Sequence, residues 1–125
     1  MAGVTVELEK HLPFVTLRAR AVKVGEDFAI LIEGGEPHIG SAVLTVPRAS
    51  LEDETKTSST SSVLNVTGHK DEEVLRVVSE RLCAAKNATV VCSGGVHIEG
   101  ISQDQITQVI SAAHEIADEI VLKLL

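Results

Sequence analysis

The chain has no tryptophan, no tyrosine and only two phenylalanines among its 125 residues. Recognition of bases or sugars by stacking needs aromatic faces, so that mode is excluded as a main source of affinity. Basic residues are also few: 11 Lys and Arg stand against 18 Asp and Glu, for a formal net charge of −7 at pH 7. A nucleic-acid or anionic-membrane surface requires a basic face, and neither partner is expected. No run of about 18 apolar residues occurs, and the first residues lack the basic-then-apolar order of a signal peptide. The chain therefore reads as cytoplasmic. Two cysteines, Cys83 and Cys92, form no C-x-x-C pair and fall in an expected helix and an expected strand. Inert buried thiols are the expectation.

What is present is enough apolar residue, 44% of the chain, for one globular domain over 1–125. Val4 to Glu9 alternates apolar and polar residues with the period of a half-buried strand. After His11-Leu12-Pro13 the alternation resumes from Phe14 to Val24, with a bulge expected where adjacent Ala21 and Val22 disturb the phase. Gly25-Glu26 is a turn. Asp27 to Glu33 is apolar on both faces and so is expected in the middle of a sheet. A loop over Gly34 to His38 leads to a strand from Ile39 to Val46, closed by Pro47. Residues 48–60 are polar and short of anchors, the composition of a mobile surface loop. Ser61 to Val66 is a further short strand.

Val74, Leu75, Val78 and Leu82 then recur at helical spacing, with Asn87 as a stop. Thr89 to Ser93 reads as a strand broken by Gly94-Gly95, with a short extension over Val96 to Glu99. Ser102-Gln103-Asp104-Gln105 has the form of a capping box, with Ile101 and Ile106 spaced as a hydrophobic staple. The helix that follows carries a long apolar stripe from Ile106 to Leu124. Strands followed by late helices give an α+β fold: a mostly antiparallel sheet of about six strands with two helices, the second C-terminal and long.

If each element crosses the sheet once, antiparallel connection decides which loops meet. His11, the loop around His38, the junction Gly68-His69-Lys70 and the segment Gly94 to His97 are all expected at one end. Clustered glycines there let backbone amides line a cavity, and clustered histidines supply donors or ligands. The Gly68-His69-Lys70 junction opens a helix, whose first N–H groups and dipole favour an anion. His97-x-Glu99 places two ligands on one face of a strand, so His38, His97 and Glu99 are a candidate divalent-metal set. A nucleophile with a base would need Ser41 or Ser93 beside His38 or His97. There is no G-x-S-x-G elbow, and the only orienting carboxylates in view are Asp71 and Glu99.

Three blocks, Gly34-Gly35-Glu36-Pro37-His38-Ile39-Gly40, Gly68-His69-Lys70-Asp71 and Gly95-Val96-His97-Ile98-Glu99, together resemble the small LpdD-like proteins. These are encoded beside decarboxylases of hydroxylated aromatic acids that use prenylated flavin mononucleotide. The resemblance implies a fold like that of proteasome assembly chaperones and a non-catalytic role, binding the reduced prenylated flavin (or FMN) for a partner decarboxylase, as a homodimer. It implies a cofactor site drawn from His38, Gly40, Ser41, Ser61, Ser62, Gly68, His69, Lys70, Gly95 and His97, with the flavin phosphate at Gly68-His69-Lys70. Without aromatic residues, ring contacts fall to aliphatic side chains or a partner subunit. Two other functions fit the residues alone: a protein-assembly chaperone or structural subunit without a small ligand, and a metal-dependent enzyme of unknown substrate.

Overall fold

The computed structural model describes residues 5–66 and 71–124. The elements run β1 (Thr5–His11), β2 (Thr16–Val24), β3 (Asp27–Gly35), β4 (Ser41–Ala49), β5 (Thr57–Asn65), α1 (Glu72–Lys86), β6 (Val90–His97) and α2 (Gln103–Lys123). The six strands form one sheet in the order β1-β2-β3-β6-β4-β5. Only β3 and β6 pair in parallel, and every other neighbour is antiparallel. This is the α+β architecture with a late, long second helix that the pattern implies. β3 is central, held between β2 and β6.

Both helices pack on one face of the sheet, α1 over β4, β5 and β6 and α2 against α1 and β1. The face they cover is built by strand alternation. Val6, Ala21, Ile30, Cys92 and Val43 lie in one row across five strands and are buried. From α1, Leu75, Val78 and Leu82 close over that row, and from α2, Val109, Ile116 and Ile120 do the same. Each such side chain contributes roughly 1.5–3 kcal/mol by leaving water. α2 begins with the full capping box: Ser102 Oγ accepts from the Gln105 N–H at 3.1 Å and the Gln105 side chain accepts from the Ser102 N–H at 3.0 Å. α1 stops at Asn87, which takes the left-handed conformation at φ 50°.

Four local expectations are corrected. No bulge occurs near Val22, because the registers of β2 with β1 and β3 advance one for one through it. Ala21 faces the core and Val22 the opposite side. β4 does not close at Pro47 but runs to Ala49. Beyond Thr45 it has lost its β6 neighbour, and a proline, which has no N–H to give, is tolerated on that free side. β5 begins at Thr57, so the connection is 50–56 rather than 48–60. Its serines and threonines find partners in β4, with Thr45 Oγ1 2.9 Å from Ser61 Oγ and Arg48 Nε donating to Thr60 Oγ1 at 3.0 Å. Finally, Gly94-Gly95 lies inside β6 instead of breaking it.

The position of Gly94 explains why the sequence there is glycine. Its φ is +130°, and a Cβ would collide with the carbonyl oxygen of Ile32 on the parallel neighbour β3. Gly94→Ala is therefore expected to cost at least about 3 kcal/mol, read as a lowered midpoint in urea denaturation. Gly25→Ala has φ +61° but open space around it, and should cost only about 1 kcal/mol. Equal costs at the two positions would contradict the close β3–β6 approach.

Candidate functional site

The parallel pairing of β3 with β6 sets the site. Gly35 and His97 end their strands side by side, Ser41 starts β4 opposite Gly94, and Asn65 ends β5 opposite Ser41. The loop 36–40, the start of α1 and the end of β6 therefore share one edge, as the parity of crossings requires. His11 lies at the same end but remains at the outer hairpin, bonded to Thr16 and beside Glu9.

At this edge His38 and Asp71 form a largely buried pair. His38 Nε2 lies 2.9 Å from Asp71 Oδ2, and its Nδ1 lies 3.1 Å from the Glu36 carbonyl oxygen. Asp71 Oδ1 accepts from the Val96 backbone N–H at 3.1 Å. One carboxylate thus joins the 36–40 loop, the N-cap of α1 and the end of β6. Both His38 nitrogens face acceptors, an arrangement that favours a proton on each, the imidazolium form. Burial by itself would lower the His38 pKa, but the hydrogen bonds to Asp71 and to the Glu36 carbonyl outweigh it and leave the group raised. His97 stands edge-on to this ring, with centroids 5.8 Å apart.

The glycines of the edge serve the pair. A Cβ at Gly40 would collide with the Asp71 carboxylate, and one at Gly95 would sit 2.6 Å from His38 Nε2. The space these glycines leave is filled by the chain's own side chains. Two adjoining depressions open around His38. One, of about 200 Å³, is lined by Glu36, Pro37, His38 and His97. The other, of about 300 Å³, adds Leu31, Glu33, Ile39 and Gly94.

Of the residues singled out from the sequence, His38, Gly40, Gly95 and His97 are brought together. Ser41 is at the edge but buried, its hydroxyl donating to Asn65 Oδ1. Ser61 lies four residues down β5, bonded to Thr45 on the helix side, and Ser62 is on the opposite face. Gly68, His69 and Lys70 lie outside the described residues. The metal set does not assemble: among the described residues no three His, Cys, Asp or Glu side chains are grouped to hold an ion. The reasons are visible in its members. Both ring nitrogens of His38 are already engaged, by Asp71 and the Glu36 carbonyl, and the Glu99 side chain is 99% exposed, 3.8 Å from His97. Both cysteines are buried free thiols whose pKa burial pushes up. Among the described residues no helix is long and apolar enough to cross a membrane.

A family model described as the prenylated flavin chaperone LpdD-like domain matches residues 13–125. The chain belongs to this LpdD-like family. No match is found among curated proteins. The fold is also similar to a solved structure described as a novel chaperone complex for yeast 20S proteasome assembly. The TM-score is 0.65 and the identity 10%, with all of both chains covered. That likeness concerns the fold. In this LpdD-like chain the residue that sequence reasoning undervalued is Asp71. It stands at the N-cap of α1, yet its side chain makes no cap bond there and instead binds His38 and the Val96 N–H.

Because the folded-state pKa of His38 is raised, the stability it brings is complete below the unfolded value of about 6.5 and is lost as pH rises through the folded value. The advantage of the native chain over His38→Gln in denaturant titrations should therefore shrink as pH climbs above about 6.5. An advantage that grows with pH would contradict an imidazolium at this position.

Proposed function

We propose that this LpdD-like protein is a non-catalytic carrier of reduced prenylated flavin mononucleotide. It shields the cofactor at the His38–His97 edge and hands it to a cytoplasmic decarboxylase of hydroxylated aromatic acids, with the homodimer as the working form. The observation that carries this reading is the meeting of the His38 loop with the Gly95-Val96-His97 end of β6 on one edge, joined by Asp71, in a chain of the prenylated flavin chaperone family.

The residues present suit such a guest. Leu31, Pro37 and Ile39 offer aliphatic surface to a ring system, and the His38 imidazolium and the His97 ring offer polar contacts beside it. When bound, the flavin supplies the reactive ring that the decarboxylase uses. This chain binds and orients it. A non-catalytic role is supported by the engagement of the polar groups: the two nitrogens of His38 face Asp71 and Glu36, and the Ser41 hydroxyl donates to Asn65. Neither is poised to move a proton to or from a substrate.

The phosphate is assigned to Gly68, His69 and Lys70, which precede α1 in the sequence. Glu72 and Glu73 in the first turn oppose an anion there, so a cation must offset them and Lys70 is given that task. Saturable micromolar binding of the reduced prenylated cofactor is expected, followed by absorbance against a chain free of Trp and Tyr. Absence of such binding would sink the reading. Lys70→Ala should weaken flavin mononucleotide by at least about tenfold while leaving riboflavin nearly unchanged. Equal weakening of both would remove Lys70 from the phosphate.

A further inference from the structure

A free strand edge presents unpaired N–H and C=O groups that invite another strand, and sheets blunt such edges with charge, proline or bulges. Two edges of this sheet are blunted. β1 carries Glu7, Glu9, Lys10 and His11, and its Lys10 Nζ reaches over to α2, 3.2 Å from Glu115 and from Glu119. The part of β4 beyond its β6 neighbour carries Pro47 and Arg48. The outer edge of β5 is different. Over the nine residues Thr57–Asn65 it has no charge and no proline, and its register with β4 advances one for one without a bulge. Among the described residues nothing pairs with its outer side.

We propose that β5 takes an extended segment of another protein as a seventh strand, by main-chain pairing along this edge. The side chains of β5 describe that segment. Ser59, Ser61 and Val63 lie on the helix side, and Thr60, Ser62 and Leu64 on the face that the helices leave open. The edge is thus hydroxyl-rich for most of its length and apolar at one end, where Leu64 is 77% exposed. Threonines and β-branched residues, with an apolar residue beside Leu64, are the cross-strand neighbours that fit. At the Thr57 end the connection 50–56 adds charge. Asp53 is engaged by Thr55 and Lys56, but Glu52 and Glu54 are exposed and make no ion pair among the described residues. A segment with basic residues at that end is therefore favoured. Charge also disfavours a second copy as the occupant: two β5 strands paired antiparallel, Thr57 against Asn65, would set Glu52 and Glu54 of each copy toward Glu72 and Glu73 in the first turn of the other's α1. The edge leads to the cleft. Asn65 accepts from Ser41, and the Val66 N–H donates to the Gly40 carbonyl at 2.8 Å, so an added strand ends beside the 36–40 loop. That the segment belongs to the enzyme receiving the flavin rests on the carrier reading above, while the edge stands without it.

The probe is a synthetic peptide, acetyl-Leu-Val-Thr-Val-Thr-Val-Thr-Arg-Arg-amide, written to pair antiparallel with β5. Calorimetric titration of the full chain should give saturable binding with Kd below about 100 μM, with amide exchange slowed in β5 and not in β1. Methylating the backbone nitrogens of alternate residues gives two further forms of the peptide, with the methyls on one edge or the other. The form whose methyls face β5 should lose at least about tenfold in affinity and the other should bind as the parent does. Ser62→Lys, which puts a charge on an exposed position of the edge, should weaken the peptide by about tenfold. Glu52→Lys with Glu54→Lys should weaken it by about fivefold and leave a form ending in Gln-Gln unchanged. All three positions are exposed, so the fold does not depend on them. Absence of saturable binding, equal binding of the two methylated forms, or binding untouched by both sets of substitutions overturns the proposal. A wild-type mass that Ser62→Lys halves gives the edge to a second copy and overturns it as well. Peptide binding of the expected pattern in a chain that takes no flavin upholds the edge and overturns the carrier reading alone.

Discussion

The ion pair between His38 and Asp71 is the constraint on which the rest of the edge depends. It joins positions 33 residues apart and, through the Val96 N–H, a third segment 25 residues further on. Side chains 18% and 10% exposed are mostly desolvated, and such a pair is justified only if each member is satisfied. Here the imidazolium has acceptors at both nitrogens and the carboxylate takes a donor on each oxygen. Removing one partner of a buried pair typically costs about 3–5 kcal/mol, because the charge left behind has lost its compensation. The pair therefore acts as a clasp. It has to be closed before Gly40 and Gly95 have any reason to be glycine, and it engages the His38 nitrogen that faces Asp71.

The clasp is possible only because β6 is inserted between β3 and β4. A simple meander would set β4 beside β3 and leave Val96 with no route to the N-terminus of α1. The chain instead leaves β5 at the sheet edge, crosses as α1 over β4, and returns as β6 in the middle. That return makes β6 parallel to β3, so two strand ends and their loops emerge side by side. The cost of insertion appears at Gly94, where the backbones of β6 and β3 approach too closely for a side chain.

Much of this was legible in the chain. Alternation over β1 to β3, the spacing of Val74, Leu75, Val78 and Leu82, and the Ser102 capping box are local signals, and local physics decides them. Counting crossings was enough to bring His38 and His97 to one edge without knowing the strand order. What escaped was set by contacts between distant segments. Gly94-Gly95 has the composition of a break, and only the proximity of Ile32 makes it a close approach within a strand. Residues 57–60 have loop composition, and only pairing with β4 makes them an edge strand. Asp71 could be named only as one of two carboxylates able to orient a histidine, and nothing nearby in sequence announces that it is committed to residues 38 and 96.

The division of labour across the sheet follows from these placements. On the helix side the polar groups are spent on one another: Ser79 with Thr45, Thr45 with Ser61, Ser41 with Asn65. That side is a closed core. At the His38 edge the polar groups are likewise committed, which stiffens the rim of a cleft more than it arms it. A rim whose histidine faces two acceptors holds that ring in one orientation. The chain's unsatisfied surface is apolar and lies on the other face, beside the open side of the same cleft. Its geometry thus separates a charged clasp at the edge from an exposed aliphatic face next to it.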